Sequence, residues 1–203
     1  MTPLDVLRGI TSVPFTDTSA SPVVLHDCGR KQLRVWWKAL RVTIGAEIGV
    51  WEGDFARSIC EATGAFLYAI DPWAPQSDYV EVKNDAHRLT HAFSKAQAAL
   101  APYHHQIMKS TSLDAAKKIA DRSLDFAYID GNHLRTSVLA DLAAWLPKVK
   151  PGGVISGHDY RVFTNKPFIQ VVDAVQAFTA SRAIAPWFVF AADKSPSWAW
   201  VVA

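Results

Sequence analysis

Two apolar runs near the end of the chain, Trp187–Ala192 and Trp198–Val202, are joined only by Asp193-Lys194-Ser195-Pro196-Ser197. So short a link permits a hairpin and forbids a crossover, because parallel neighbours need a dozen or more connecting residues. Upstream the pattern is the opposite. From residue 42 onward, apolar runs read as strands over Val42–Val50, Phe66–Ile70, Gln106–Lys109, Leu124–Ile129 and Val154–Ser156. Between them, helical spacings predict helices over Asp54–Thr63, residues 79–100, residues 113–120 and His133–Leu146. Strands alternating with helices predict a parallel sheet with helices on both faces. The closing hairpin adds one antiparallel strand to it.

Composition narrows the class. At 203 residues, half of them hydrophobic, the chain can bury a full core as one domain. A formal net charge of +2 leaves no polyelectrolyte footprint, so nucleic acid is not an expected partner. No apolar stretch is long enough to span a membrane, and the first residues lack a signal-peptide core, so no membrane partner and a cytoplasmic protein are expected. Cys28 and Cys60 have no CxxC spacing, which agrees with a reducing compartment. Residues 11–22 are rich in Ser, Thr and Pro and read as loop. Leu33, Trp36, Trp37 and Leu40 share a helical face. Residues 1–40 are therefore expected as an N-terminal arm with a covering helix, and residues 41–203 as the domain. Eight tryptophans are an excess that composition alone divides neither to core nor to ligand wall.

The strand ends carry the chemistry. Glu47-Ile-Gly49-Val-Trp51-Glu-Gly53 lies where the first strand of the alternation turns into its helix. Glycines there allow a tight turn and a close approach to the helix N-terminus. The middle glycine of the dinucleotide pattern is missing, since position 51 is Trp, and a carboxylate at 47 suits a cationic ligand better than a pyrophosphate. Asp71 ends the next strand, where an acidic residue can accept both hydroxyls of a ribose, and Trp73 follows as a possible wall. Asp130-Gly-Asn132-His133 and His158-Asp159 close two further strands. If those strands are neighbours, two carboxylates and two imidazoles meet on one rim, which suits a divalent cation, acid–base work, or both.

These residues resemble the class I S-adenosylmethionine-dependent methyltransferases, and within them the small-molecule O-methyltransferase branch with its metal-dependent catechol-type and sugar-modifying relatives. Residues 46–56 (AEIGVWEGDFA) are similar to the glycine motif, 68–73 (YAIDPW) to the acidic end of the second strand, and 123–160 to the fourth and fifth strands. The resemblance implies an α/β, Rossmann-like, seven-stranded, mostly parallel sheet with a C-terminal antiparallel hairpin strand. It also implies S-adenosyl-L-methionine as cofactor. Glu47 would take the amino group of its methionine part, Gly49 and Gly53 would let the backbone approach, Asp71 would bind the ribose, Ser112 would lie by the adenine, and Trp51, Trp73 and Asp130 would touch it. Asp130, His158 and Asp159 fall where relatives hold Mg2+ or another divalent cation, although His158 departs from the usual Asp. Asn132, where some relatives carry a basic Asp, cannot accept a proton.

The mechanism this implies is an in-line displacement in which a substrate hydroxyl attacks the sulfonium methyl. His133 is assigned as base, because imidazole titrates near neutrality, with Asp130 beside it in the catalytic pair. Divalent-metal assistance is expected from a cation held by Asp130 and Asp159 that orients the oxygen and lowers its pKa. The expected acceptor is a small-molecule hydroxyl, with its identity and any homo-oligomer left open. Two other classes stay in view: a nicotinamide-dependent oxidoreductase, against which Glu47 and the final hairpin argue, and a non-catalytic cofactor- or partner-binding domain.

Overall fold

The computed structural model describes residues 1–77 and 85–203. Of the helix expected over 79–100, the part at 79–84 lies outside the described residues, and the helix begins at Ala86. Asp85 is its N-cap, accepting the backbone N–H of Arg88.

In chain order the elements are α1 (Pro3–Arg8), β1 (Val23–Leu25), α2 (Arg30–Ala39), β2 (Ile44–Ile48), α3 (Asp54–Thr63), β3 (Phe66–Asp71), α4 (Ala86–Leu100), β4 (His105–Lys109), α5 (Ser112–Ala116), β5 (Leu124–Ile129), α6 (Arg135–Trp145), β6 (Val149–Gly157), α7 (Val171–Ser181), β7 (Trp187–Phe190) and β8 (Ser197–Val201). They form one eight-stranded sheet in the order β1-β7-β8-β6-β5-β2-β3-β4. Every pairing is parallel except those of β8, which runs antiparallel to both β6 and β7. The closing hairpin thus inserts its last strand between two parallel ones.

The expected sheet had seven strands; the eighth is β1, from the N-terminal arm. Three residues carry too little periodicity to be read as a strand, and they become one by pairing Val23–Leu25 with Phe188–Phe190. The arm is bound further into the core by Leu7 and Phe15, both buried, with the Phe15 ring edge-on to Phe188 at 4.9 Å. Helix α7 fills the crossover between β6 and β7. Its buried Val171, Ala174, Val175 and Phe178 form one helical stripe.

Two apolar layers sandwich the sheet. One holds Leu33, Trp36 and Trp37 of α2 with Ile59, Ala96 and Leu100, and the other holds Leu142, Trp145, Val175, Phe178 and Trp200. Trp37 stacks on Phe126 with ring centroids 4.5 Å apart, so α2 covers the sheet rather than hanging beside it. β2 is central, pairing Glu47 with Ala69 on one side and with Tyr128 on the other. From β2 the chain winds outward through β3 and β4 one way and through β5 and β6 the other. This reversal opens a crevice at the carboxyl ends of β2 and β5, where open α/β sheets bind ligands. Among the described residues no helix is long and apolar enough to cross a membrane.

Candidate active site

A cavity of about 900 Å3 occupies that crevice. Glu47, Gly49, Trp51, Asp71, Ser112, Asp130, His133, His158 and Asp159 all line it, so the strand-end residues singled out in the sequence meet in one place.

The turn after β2 is built from left-handed residues: Gly49 at φ 90°, Trp51 at φ 52° and Gly53 at φ 85°. A side chain at 49 would stand 2.2 Å from the Asp130 carbonyl, so this glycine lets the ends of β2 and β5 close on each other. Gly53 does not line the cavity; a Cβ there would meet the Ala96 Cα at 2.9 Å, so it serves the packing of α3 on α4. Trp51 tolerates its unfavourable backbone because both its peptide groups are tied. Its N–H donates to Asp71 Oδ2 (3.0 Å), and its carbonyl accepts the Trp73 indole N–H (2.8 Å). Trp73 is therefore no part of the wall. It is buried, its ring centroid 5.0 Å from Phe93, and it pins Trp51 from behind.

Glu47 is buried, and its Oε2 has no hydrogen-bond partner. Burial, then the charges of Asp130 and Asp71, push its carboxyl well above the ordinary range, against the pull of Arg30. An orphaned buried carboxylate facing a cavity is costly unless a cation arrives to meet it. Burial likewise raises Asp71, against N–H donors from Trp51, Trp73 and Val50. Both groups fit a ligand bearing an ammonium and a vicinal diol.

Ser112 begins α5 beside the N-cap Thr111. Its hydroxyl donates to Asp141 Oδ1 (2.5 Å) and accepts the Trp145 indole N–H (2.8 Å). Asp141, on α6, went unread in the sequence, where one acidic residue in an amphipathic helix looks like any solvated position. Here it lines the cavity, and burial pushes its carboxyl up to about 7, opposed by the Ser112 bond.

The rim is a charge network. His133 Nε2 lies 3.4 Å from Asp130 Oδ1 and 3.2 Å from Asp159 Oδ2. His158 Nδ1 lies 3.6 Å from Asp130 Oδ1 and 3.3 Å from Asp159 Oδ1. Asp159 takes a left-handed φ of 53° and receives the Ser195 hydroxyl at 2.6 Å. A second residue missed by sequence reading is Arg30, which begins α2. Its Nη2 meets Asp130 Oδ2 at 2.7 Å, and its Nε donates to the Tyr128 hydroxyl at 2.9 Å. Burial opposes ionisation of Asp130, but hydrogen bonds from His133 and His158 and the charges of His158 and Arg30 hold its carboxyl well below the ordinary range.

The metal donors converge differently from expectation. Asp130, His133 and Asp159 present one donor atom each within 4.8 Å of one another, and His133 stands where His158 was expected. The set does not fit Mg2+, which demands octahedral oxygen ligation. One donor is an imidazole, Asp130 is already paired with a guanidinium, and Asp159 is already bonded by Ser195.

Comparison with known proteins agrees with the geometry. The family profile described as "Methyltransferase domain" matches residues 46–160, from the glycine turn to the end of the rim. The uncharacterized protein y4gI of Sinorhizobium fredii is 26% identical over 129 residues, which are 61% of this chain but only 14% of that longer protein. This chain thus spans a small part of that relative. Among solved structures, the O-methyltransferase of Bacillus cereus in complex with SAH superimposes with a TM-score of 0.61 at 15% identity, over 99% of this chain and 89% of that one. The O-methyltransferase NovP gives 0.59 at 19%, over 85% and 78%. The N-methyltransferase NodS of Bradyrhizobium japonicum gives 0.58 at 13%, over 85% and 94%. At such identities the likeness is one of fold, and that fold carries both O- and N-methyl transfer.

Proposed function

The chain belongs to the methyltransferase domain family, and on that premise we propose that it methylates a hydroxyl group of a small molecule, with S-adenosylmethionine as donor. The observation that carries the reading is Glu47, whose buried, unpartnered Oε2 asks for a cation at the mouth of the glycine turn. A nicotinamide dinucleotide offers that position a pyrophosphate, which a carboxylate repels.

When bound, the cofactor supplies a methyl group on a sulfonium, whose sulfur leaves as a neutral thioether. The chain's own residues do the rest. Glu47 takes the ammonium, Asp71 the ribose hydroxyls, and Ser112 and Asp141 border the space left for the base. Asp130 and Asp159 hold His133 Nε2 between them, as a carboxylate orients the imidazole of a hydrolase triad. The imidazole is then the group that takes the acceptor hydroxyl's proton as the oxygen–methyl bond forms. Holding the two reactants in line is the site's further contribution to such a displacement. A small acceptor fits a cavity of about 900 Å3 that must also hold the cofactor, and a chain with net charge +2 offers nothing to grip a polyanion.

The test is transfer of a labelled methyl group from S-adenosylmethionine to a panel of phenols, catechols and sugars. The unaltered chain should label one of these classes. His133→Ala should lower turnover about 100-fold or more, the ordinary worth of a general base, while S-adenosylhomocysteine binding changes little. Turnover unchanged in that variant would remove His133 as base. Binding without transfer to any acceptor would leave a non-catalytic cofactor domain.

A further inference from the structure

We propose that Arg30 is the resident cation of this site: delivered by the start of α2, it pairs with one oxygen of Asp130, holds a fixed positive charge at the rim and makes methyl transfer independent of metal. The inference rests on the reading above, and it is carried by how firmly the guanidinium is placed. The Arg30 backbone N–H donates to Asp193 Oδ2 at 2.5 Å, which ties the start of α2 to the turn between β7 and β8. The guanidinium carbon lies 4.3 Å from the centroid of the Phe55 ring, a cation–π contact. Nε and Nη2 then reach Tyr128 and Asp130 from one planar fork. This is no solvated surface arginine; its side chain is 27% exposed and is held by Phe55, Tyr128 and Asp130, with its backbone tied to Asp193.

A count of carboxylate oxygens leads to the same place. Asp130 Oδ2 faces Arg30, and Oδ1 faces His133 and His158. Asp159 Oδ1 faces Ser195 and His158, and Oδ2 faces His133. All four oxygens already have partners. A dication reaching Asp130 Oδ1 and Asp159 Oδ2 must displace their imidazole contacts and tolerate the fixed guanidinium charge held on the other oxygen of Asp130. Arg30 is thus a positioning residue. It keeps Asp130 charged and aimed at His133, the duty an ion performs in a metal-bound rim.

Binding of Mn2+ by chelator-treated protein, followed by electron paramagnetic resonance, tests this. The unaltered chain and Arg30→Lys should leave the free Mn2+ signal undiminished. Arg30→Met and Arg30→Gln should bind the ion about tenfold more tightly or better, the worth of one charge-assisted bond. S-adenosylhomocysteine binding by each variant shows which are folded, and glutamine covers the case in which methionine is not. Methyl transfer by the unaltered chain should survive the chelator. Mn2+ bound as tightly by the unaltered chain as by the variants, folded variants that bind no better, or transfer that stops with chelator and returns with metal would each overturn the proposal. If no condition yields transfer, the O-methylation reading fails, while the Mn2+ comparison still decides the place of Arg30.

Discussion

Burial raises the Asp141 carboxyl from its ordinary 3.8 to about 7, so this side chain couples protonation to folding. Between those values the folded chain keeps a proton that the unfolded chain releases. Its contribution to stability is therefore complete below about pH 4 and declines as pH rises through about 7. Asn has the shape of the protonated acid and can still accept the Ser112 hydroxyl. Asp141→Asn should unfold at the same denaturant concentration as the unaltered chain near pH 4. It should be more stable above pH 7 by up to about 4 kcal/mol. Parallel curves across that range would mean that Asp141 is ionised in the folded state. Asp130 shows the opposite outcome, for although it is partly buried, two imidazoles and Arg30 keep it charged.

At the scale of the elements, the turn between β2 and α3 decides whether the site forms. Gly49 combines a φ of 90° with an approach to the Asp130 carbonyl that leaves no room for a methyl group. Gly64, at the end of α3, has a φ of 69° and open space around it. Gly64→Ala should cost about 1–2 kcal/mol, the left-handed penalty alone. Gly49→Ala should cost clearly more and should also weaken S-adenosylhomocysteine binding, because β5 must shift and carry Asp130 with it. Thermal unfolding and calorimetry of the two variants separate these costs; equal losses would contradict the close-approach argument.

The same turn shows what a sequence can and cannot disclose. Glu47, Asp71 and Asp130 were legible because each ends an apolar run, and strand ends of a parallel sheet share one edge. Trp73 was misplaced because proximity along the chain does not say which way an indole turns; its N–H turned to Trp51. Arg30 and Asp141 were illegible for a different reason. Each lies on a helix, and only the docking of that helix on the sheet brings its side chain to the cavity. β1 exists only through its partner β7.

At the scale of the whole molecule, the N-terminal residues are continuous with the domain. They supply an edge strand, a stacked covering helix and a charged group in the cavity. The tryptophans divide accordingly. Trp36, Trp37, Trp145, Trp198 and Trp200 are fully buried, Trp73 and Trp187 nearly so, and Trp51 alone lines the cavity. The proposed function thus turns on a cationic ligand that meets Glu47. Calorimetric titration of the unaltered chain and Glu47→Gln with S-adenosylhomocysteine, with NAD as comparison, addresses this most directly. The account predicts binding of S-adenosylhomocysteine and not NAD, weakened about 10- to 100-fold by the substitution, since a hydrogen bond to a charged group contributes roughly 1.5–3 kcal/mol. Tight binding of NAD, or an affinity for S-adenosylhomocysteine that Glu47→Gln leaves untouched, would contradict it.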